Sequence, residues 1–231
     1  MSSQLSAIID LDQTRKQFLT NQLQPQGIDN ENLLNAFEKV PREIFLEAPL
    51  QPRTYFDADL LVSEHPKRSL LSPRKLARLF QAAALQPSEK VLVIGFGTGY
   101  SLAIGHELGL KVYGVEENPL FFSFAFTSFQ TYIEQFYDTR DIENILLLEE
   151  KPLNQGLPEH APYDAIIVEG CVEKVPDALL KQLRPHGRIA CISEIEHKGI
   201  CVYDALGHAR YVYFESADTL PGFKKEVSFD L

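Results

Sequence analysis

Apolar residues along this chain change their spacing near residue 90. Before it they recur every three to four positions: residues 12–24 carry one such stripe, and Leu33, Leu34, Phe37 and Val40 form another. That period predicts two amphipathic helices. Pro25-Gln26-Gly27 breaks the first, Asp29 or Asn30 offers an N-cap to the second, and Pro41 ends it. After residue 90, short continuous apolar runs take over at 91–94, 111–115, 144–148, 165–168 and 189–192. Runs this short, bounded by turns, read as strands buried on both faces. Helical spacing returns between them at 100–108, 121–136 and 176–183, and runs at 200–203 and 211–214 complete the set. Arg184-Pro185-His186-Gly187, His197-Lys198-Gly199 and Leu206-Gly207-His208 read as turns, and the tail has a turn at 220–225 before a short edge strand.

Strands alternating with helices predict an α/β fold, a doubly wound and mainly parallel sheet with helices on both faces and run 91–94 at its centre. The N-terminal helices are too short to be a domain and are expected to cover one edge of the sheet. The 231 residues are read as one domain, with 1–70 as helical cover and substrate loop and 71–231 as the core. Phe121, Phe122, Phe124, Phe126 and Phe129 crowd one helix too broadly for a cofactor box and are expected to pack against the sheet.

The stretch that carries chemistry runs from 90 to 119. A strand leads into Gly95, Gly97 and Gly99, which alternate with Phe96 and Thr98; a helix follows from Tyr100, Gly109 caps it, and a second strand delivers Glu116 at its carboxyl end. This is the first half of a nucleotide-binding βαβ unit. Glycines let the backbone approach a ligand closely, and Glu116 is placed to accept bonds from two ribose hydroxyls. Tyr100 occupies the third glycine position of a dinucleotide fingerprint, and no Lys-Ser/Thr pair makes a P-loop. The ligand indicated has a ribose and no phosphate, as S-adenosylmethionine does. Its expected contacts are Gly95, Phe96, Gly97, Thr98, Gly99, Tyr100, Glu116 and Glu117.

Composition narrows the field. Thirty-two acidic residues against 22 basic ones give a net charge of -10, which argues against a nucleic-acid surface. Cys171, Cys191 and Cys201 lack the spacing of a disulfide framework or zinc site, and the six histidines show no metal-ligand spacing. The first residues do not form a signal peptide, and no apolar run approaches a membrane span. A cytoplasmic protein without metal, membrane or nucleic acid is expected.

Further residues carry a resemblance. Arg15, Gln22-Leu23, Gly27-Ile28, Leu34, Ala36-Phe37 and Val40-Pro41-Arg42-Glu43-x-Phe45 come first, then Tyr55-x-Asp57 and Leu60. The glycine motif, the segment from Ala161-Pro162-Tyr163-Asp164 to Val168, and that from Val175-Pro176 to Gly187-Arg188 complete the set. From about residue 14 to 190 the chain resembles the protein-L-isoaspartate O-methyltransferases. The resemblance implies a Rossmann-like class I fold, S-adenosylmethionine as cofactor, and methyl transfer to the carboxylate of isoaspartyl residues in damaged proteins. That carboxylate is already ionised at neutral pH, so the reaction needs alignment rather than a general base.

The resemblance also implies a substrate loop, normally T-x-S-Q-P, at Ser69-Leu70-Leu71-Ser72-Pro73. Leu71 stands at the family's active-site serine, so Ser69 and Ser72 are the catalytic candidates, Ser72 also being a good N-cap. Arg74 and Lys75 in the first turn of the next helix, with Lys67-Arg68 before it, oppose the helix dipole and are candidates to draw in an anionic acceptor. Val93 stands where the fold carries an acid two before the first glycine, and Pro152 where the family has an adenine-binding Asp, with Glu149 or Glu150 nearby. Two readings follow: a working methyltransferase, with the family's acceptor or another, or a degenerate member that serves as a cofactor-binding or interaction protein.

Overall fold

The computed structural model describes residues 10–64, 67–137, 146–195 and 198–225. Among the described residues nine strands form a hairpin and one large sheet. The hairpin pairs β1 (Leu60–Glu64) with β2 (Lys67–Leu70). The sheet holds β3 (Lys90–Ile94), β4 (Lys111–Glu116), β5 (Leu146–Glu150), β6 (Tyr163–Val172), β7 (Leu183–Ser193), β8 (Gly199–Asp204) and β9 (Ala209–Tyr213). Their order is β5-β4-β3-β6-β7-β8-β9, parallel from β5 to β7 and antiparallel at β8 and β9. This is the mainly parallel, doubly wound sheet the pattern predicts, and β3 lies inside it.

Side-chain alternation on β3 explains its position. Val91 and Val93 enter the apolar cluster on one face, while Leu92 and Ile94 enter the cluster on the other. All four are buried, so a continuous apolar run is what a strand covered on both faces requires. The helices are α1 (Leu11–Phe18), α2 (Glu31–Lys39), α3 (Pro73–Ala83), α4 (Tyr100–Glu107), α5 (Pro119–Phe136) and α6 (Asp177–Leu180).

Asp10 caps α1 and Asn30 caps α2, each through its side-chain oxygen. After α1 the chain continues through a wide turn at Leu19–Leu23 and a tight one at Gln24–Gln26, ending at left-handed Gly27. The N-terminal elements do not cover a sheet edge. They share the cluster of Val91 and Val93, with α2 packed on α3 and α4, because Phe37 meets the Tyr100 ring edge-on at 5.8 Å.

Other differences are local. Helix α6 is shorter than its apolar spacing suggests. Tyr163 pairs with Leu183 and Ala165 with Arg188, so the expected turn at 184–187 is a bulge inside β7. The aromatic stripe of α5 divides: Phe121 and Phe129 are buried, whereas Phe126 is exposed. Run 144–148 is described only from residue 146, the turn at His197 only in part, and the terminal edge strand lies outside the described residues. Among the described residues no helix is long and apolar enough to cross a membrane.

Candidate active site

The carboxyl ends of β3, β4 and β6 open on one crevice. Gly95, Gly97 and Gly99 all have positive φ, of 72°, 54° and 91°, which side chains rarely adopt. They carry the backbone from β3 into α4. Gly99 lets α5 approach, since a Cβ there would lie 2.9 Å from that of Ala125. Phe96 and Tyr100 are buried beside the turn; Thr98 is buried too, and its hydroxyl has no partner.

Glu116 is fully buried at the end of β4. Its Oε1 accepts from the backbone N–H groups of Glu117 at 3.0 Å and Asn118 at 3.2 Å, and its Oε2 accepts from Gly97 N at 3.0 Å. The remaining partner is Arg68 from the hairpin. Its Nη1 donates to Oε1 at 3.1 Å and its Nη2 to Oε2 at 3.0 Å, a two-pronged pair with the guanidinium itself buried. Nη2 also reaches Gly95 O at 3.2 Å, and the guanidinium lies 5.5 Å from the Phe121 ring centroid. The Glu117 carboxylate faces Leu153 N at 3.5 Å instead.

The loop at 69–73 is held from beneath. Arg42, buried within the Val40–Phe45 motif, donates to Thr54 O and to Leu71 O, each at 2.9 Å. Leu71 is itself buried in the core. Ser72 caps α3: its oxygen accepts from Lys75 N at 3.3 Å, and its hydroxyl donates to Asp57 at 3.2 Å. Ser69 donates to Asp218 Oδ2 at 2.8 Å, and Lys67 reaches Oδ1 of the same carboxylate at 2.7 Å.

The cations that oppose the dipole of α3 are matched by carboxylates brought from elsewhere. Arg74 pairs with Asp57 at 2.8 Å and with Glu215, Arg78 with Glu215 at 2.6 Å, and Lys75 with Asp59 at 2.6 Å. Positive charge at this helix start is therefore compensated inside the fold.

The sequence places Glu169 only at a strand end facing the site, and reads the segment after β9 only as a turn. Glu169, at the carboxyl end of β6, has an oxygen without a partner, and burial pushes its carboxyl up to about 8. Asp218 and Leu220 belong to a segment that crosses the crevice, with Asp218 O accepting from Cys171 N and Leu220 N donating to Cys171 O. No local pattern marks them, because their partners lie about 50 to 150 residues away in sequence. The Lys67-Arg68 pair, expected to draw in an anionic acceptor, is instead held by the protein's own carboxylates, Asp218 and Glu116. Beside the glycine turn, a cavity of about 500 Å³ is lined by Leu46, Leu50, Val62, Thr98, Asn118 and Phe121.

The model of the protein-L-isoaspartate(D-aspartate) O-methyltransferase (PCMT) family matches residues 14–213. A protein-L-isoaspartate O-methyltransferase 1 of Syntrophobacter fumaroxidans is 31% identical over 182 residues, 79% of this chain and 80% of that one. The corresponding protein of Gloeobacter violaceus is 34% identical over 168 residues, 73% of this chain and 77% of its own. Among solved structures, a Plasmodium falciparum chain assigned to the same methyltransferase, in complex with S-adenosyl-L-homocysteine, superposes with a TM-score of 0.74 at 17% identity. It covers 92% of this chain and 99% of that one. A second protein-L-isoaspartate O-methyltransferase gives 0.73 at 22% identity, covering 90% and 66%. At these identities the structures support the Rossmann-like fold, and the sequence relatives carry the assignment: the chain belongs to the protein-L-isoaspartate O-methyltransferase family.

Proposed function

We propose that this chain is an S-adenosylmethionine-dependent O-methyltransferase that methylates the carboxylate of isoaspartyl residues in damaged proteins. The observation that carries the reading is the family match from residue 14 to 213, which spans the glycine turn, Glu116 and the Arg42 anchor of the acceptor loop. Gly95, Phe96, Gly97, Thr98, Gly99, Tyr100, Glu116 and Glu117 are assigned to the cofactor, and Ser69, Ser72, Arg74 and Lys75 to the acceptor side. The acceptor groups already hold Asp57, Asp59, Glu215 and Asp218, so an incoming carboxylate enters by exchange for one of these. Ser69 is the better hydroxyl for that exchange, because Ser72 is fully buried as the cap of α3. The three cysteines are buried free thiols, which agrees with a reducing, cytoplasmic setting.

The test is transfer of labelled methyl groups to an isoaspartyl peptide and to its normal aspartyl twin, with the full chain. Labelling of the isoaspartyl peptide alone is expected. Cofactor binding without labelling of either peptide sinks the acceptor assignment and leaves a binding protein or a methyltransferase for another acceptor.

A further inference from the structure

S-adenosylmethionine, the cofactor of the family, does not fit the crevice as it stands. A carboxylate offers about four lone-pair sites. Glu116 already accepts five N–H groups: Arg68 Nη1, Glu117 N and Asn118 N on Oε1, and Arg68 Nη2 and Gly97 N on Oε2. Nothing is left for two ribose hydroxyls. The approach space over the glycines is taken as well. Leu70 Cδ2 lies 2.7 Å from the point where a Gly97 Cβ would stand, and Leu220 Cδ1 lies 3.0 Å from that of Gly95. Leu220 also covers Gly170, its Cγ being 2.5 Å from the corresponding point. The close approach that glycine permits is used by the chain's own leucines.

We infer that Arg68 is an internal occupant of the ribose site, and that cofactor binding requires the β1–β2 hairpin to withdraw it. The inference rests on the proposed function only for the identity of the ligand. Arg68 presents two N–H groups, one to each oxygen of Glu116, and a vicinal diol presents two O–H groups to the same oxygens. Its departure takes one donor off each oxygen and leaves the three backbone donors in place, two on Oε1 and one on Oε2, so that the lone-pair site that opens lies on Oε2. Arg68 and the ribose therefore compete for one carboxylate.

The hairpin does not move alone. Lys67 and Ser69 both hold Asp218, and the segment carrying Asp218 also carries Leu220. Withdrawing Arg68 thus pulls on the strap that covers Gly95 and Gly170. Opening the pair leaves Glu116 buried without its cation, which is costly, and cofactor affinity is reduced by the fraction of molecules that are closed.

The experiment titrates S-adenosylhomocysteine into full-length wild type, Arg68→Gln and Arg68→Lys by calorimetry. Arg68→Lys keeps a cation beside Glu116 and so protects the fold, but it does not bond both oxygens in one plane. Binding tightened about tenfold or more in Arg68→Gln, with Arg68→Lys between it and wild type, is the expected result. Amide hydrogen exchange of wild type is followed alongside, and exchange in 60–64, 67–70 and 217–223 is expected to rise when ligand binds. Wild-type binding with no gain in either variant, and with exchange falling at these segments, overturns the latch and leaves the methyltransferase reading standing. Folded variants that bind no ligand at millimolar concentration overturn both, since removing the occupant then opens nothing.

Discussion

Arg42 Nη2 donates to the carbonyl oxygen of Leu71 at 2.9 Å, tying the Val40–Phe45 segment to the residue just before the cap of α3. Its Nη1 satisfies Thr54 O, and the guanidinium lies 5.6 Å from the Tyr100 ring centroid. One buried side chain thereby fixes the loop at 69–73 relative to the start of α4. Arg42→Ala leaves two carbonyls without donors and opens a void, so a loss of about 3 kcal/mol or more is expected in urea denaturation. A loss below about 1 kcal/mol would show that the loop is held by other means.

Glu116→Ala is expected to act on folding before it acts on binding. The substitution strands the Arg68 guanidinium in a buried site and removes the acceptor of Gly97, Glu117 and Asn118 N–H groups. Breaking one side of such a pair costs about 3–5 kcal/mol. Thermal melts should place Glu116→Ala well below wild type and below the double variant Arg68→Leu/Glu116→Gln, in which neither charge remains. Equal melting points for wild type and Glu116→Ala would contradict a buried ion pair here.

The fold was legible in the sequence because its signal is local. The apolar runs that became β3 and β6 are short, continuous and separated by glycine and proline, which leaves a parallel sheet as the economical solution. The place of Glu116 at the end of β4 was legible for the same reason, one strand beyond the glycines. Arg68 was not: a Lys-Arg pair before a helix has no pattern that says its guanidinium turns inward, and its partner is 48 residues away. The pairing of Arg74 and Arg78 with Glu215 depends likewise on where the chain returns after β9. Misplaced helix charge pointed to an anionic partner, and the anions that match it are the protein's own.

Glu169 sets a pH dependence with a definite sign. Its folded carboxyl, lifted to about 8 by burial, holds a proton that the unfolded chain releases near 4.5. Between these values the folded state binds more protons, so this group lowers stability as pH rises, by on the order of 1.4 kcal/mol per unit, with no further change above about 8. Glu89 and Glu107, where burial works upward, are held low by Arg188 and by Tyr132 with Tyr137 respectively; Lys67 holds Asp218 low. Their stability is lost only as pH falls below the usual carboxylate range, outside the Glu169 window. Urea midpoints measured from pH 5 to 9 should fall for wild type relative to Glu169→Gln, and parallel curves would rule the assignment out.

Leu71→Ser places the family's serine back in its position and is expected to cost stability without raising methyl transfer. Leu71 is 5% exposed and belongs to the same apolar cluster as Tyr55, Leu76 and Val93. Trading its side chain for a hydroxyl removes apolar burial and leaves a polar group among hydrocarbon, about 2–4 kcal/mol together. The backbone at this residue is already pinned by Arg42, so the loop has little freedom to turn the new hydroxyl toward the crevice. Ser69, by contrast, lies on β2 with its hydroxyl on the exchangeable Asp218 carboxylate. Labelled methyl transfer to an isoaspartyl peptide should therefore fall in Ser69→Ala and stay level or fall in Leu71→Ser. A gain in Leu71→Ser, with Ser69→Ala unchanged, would move the acceptor contact to residue 71 and require the loop to rearrange around Arg42.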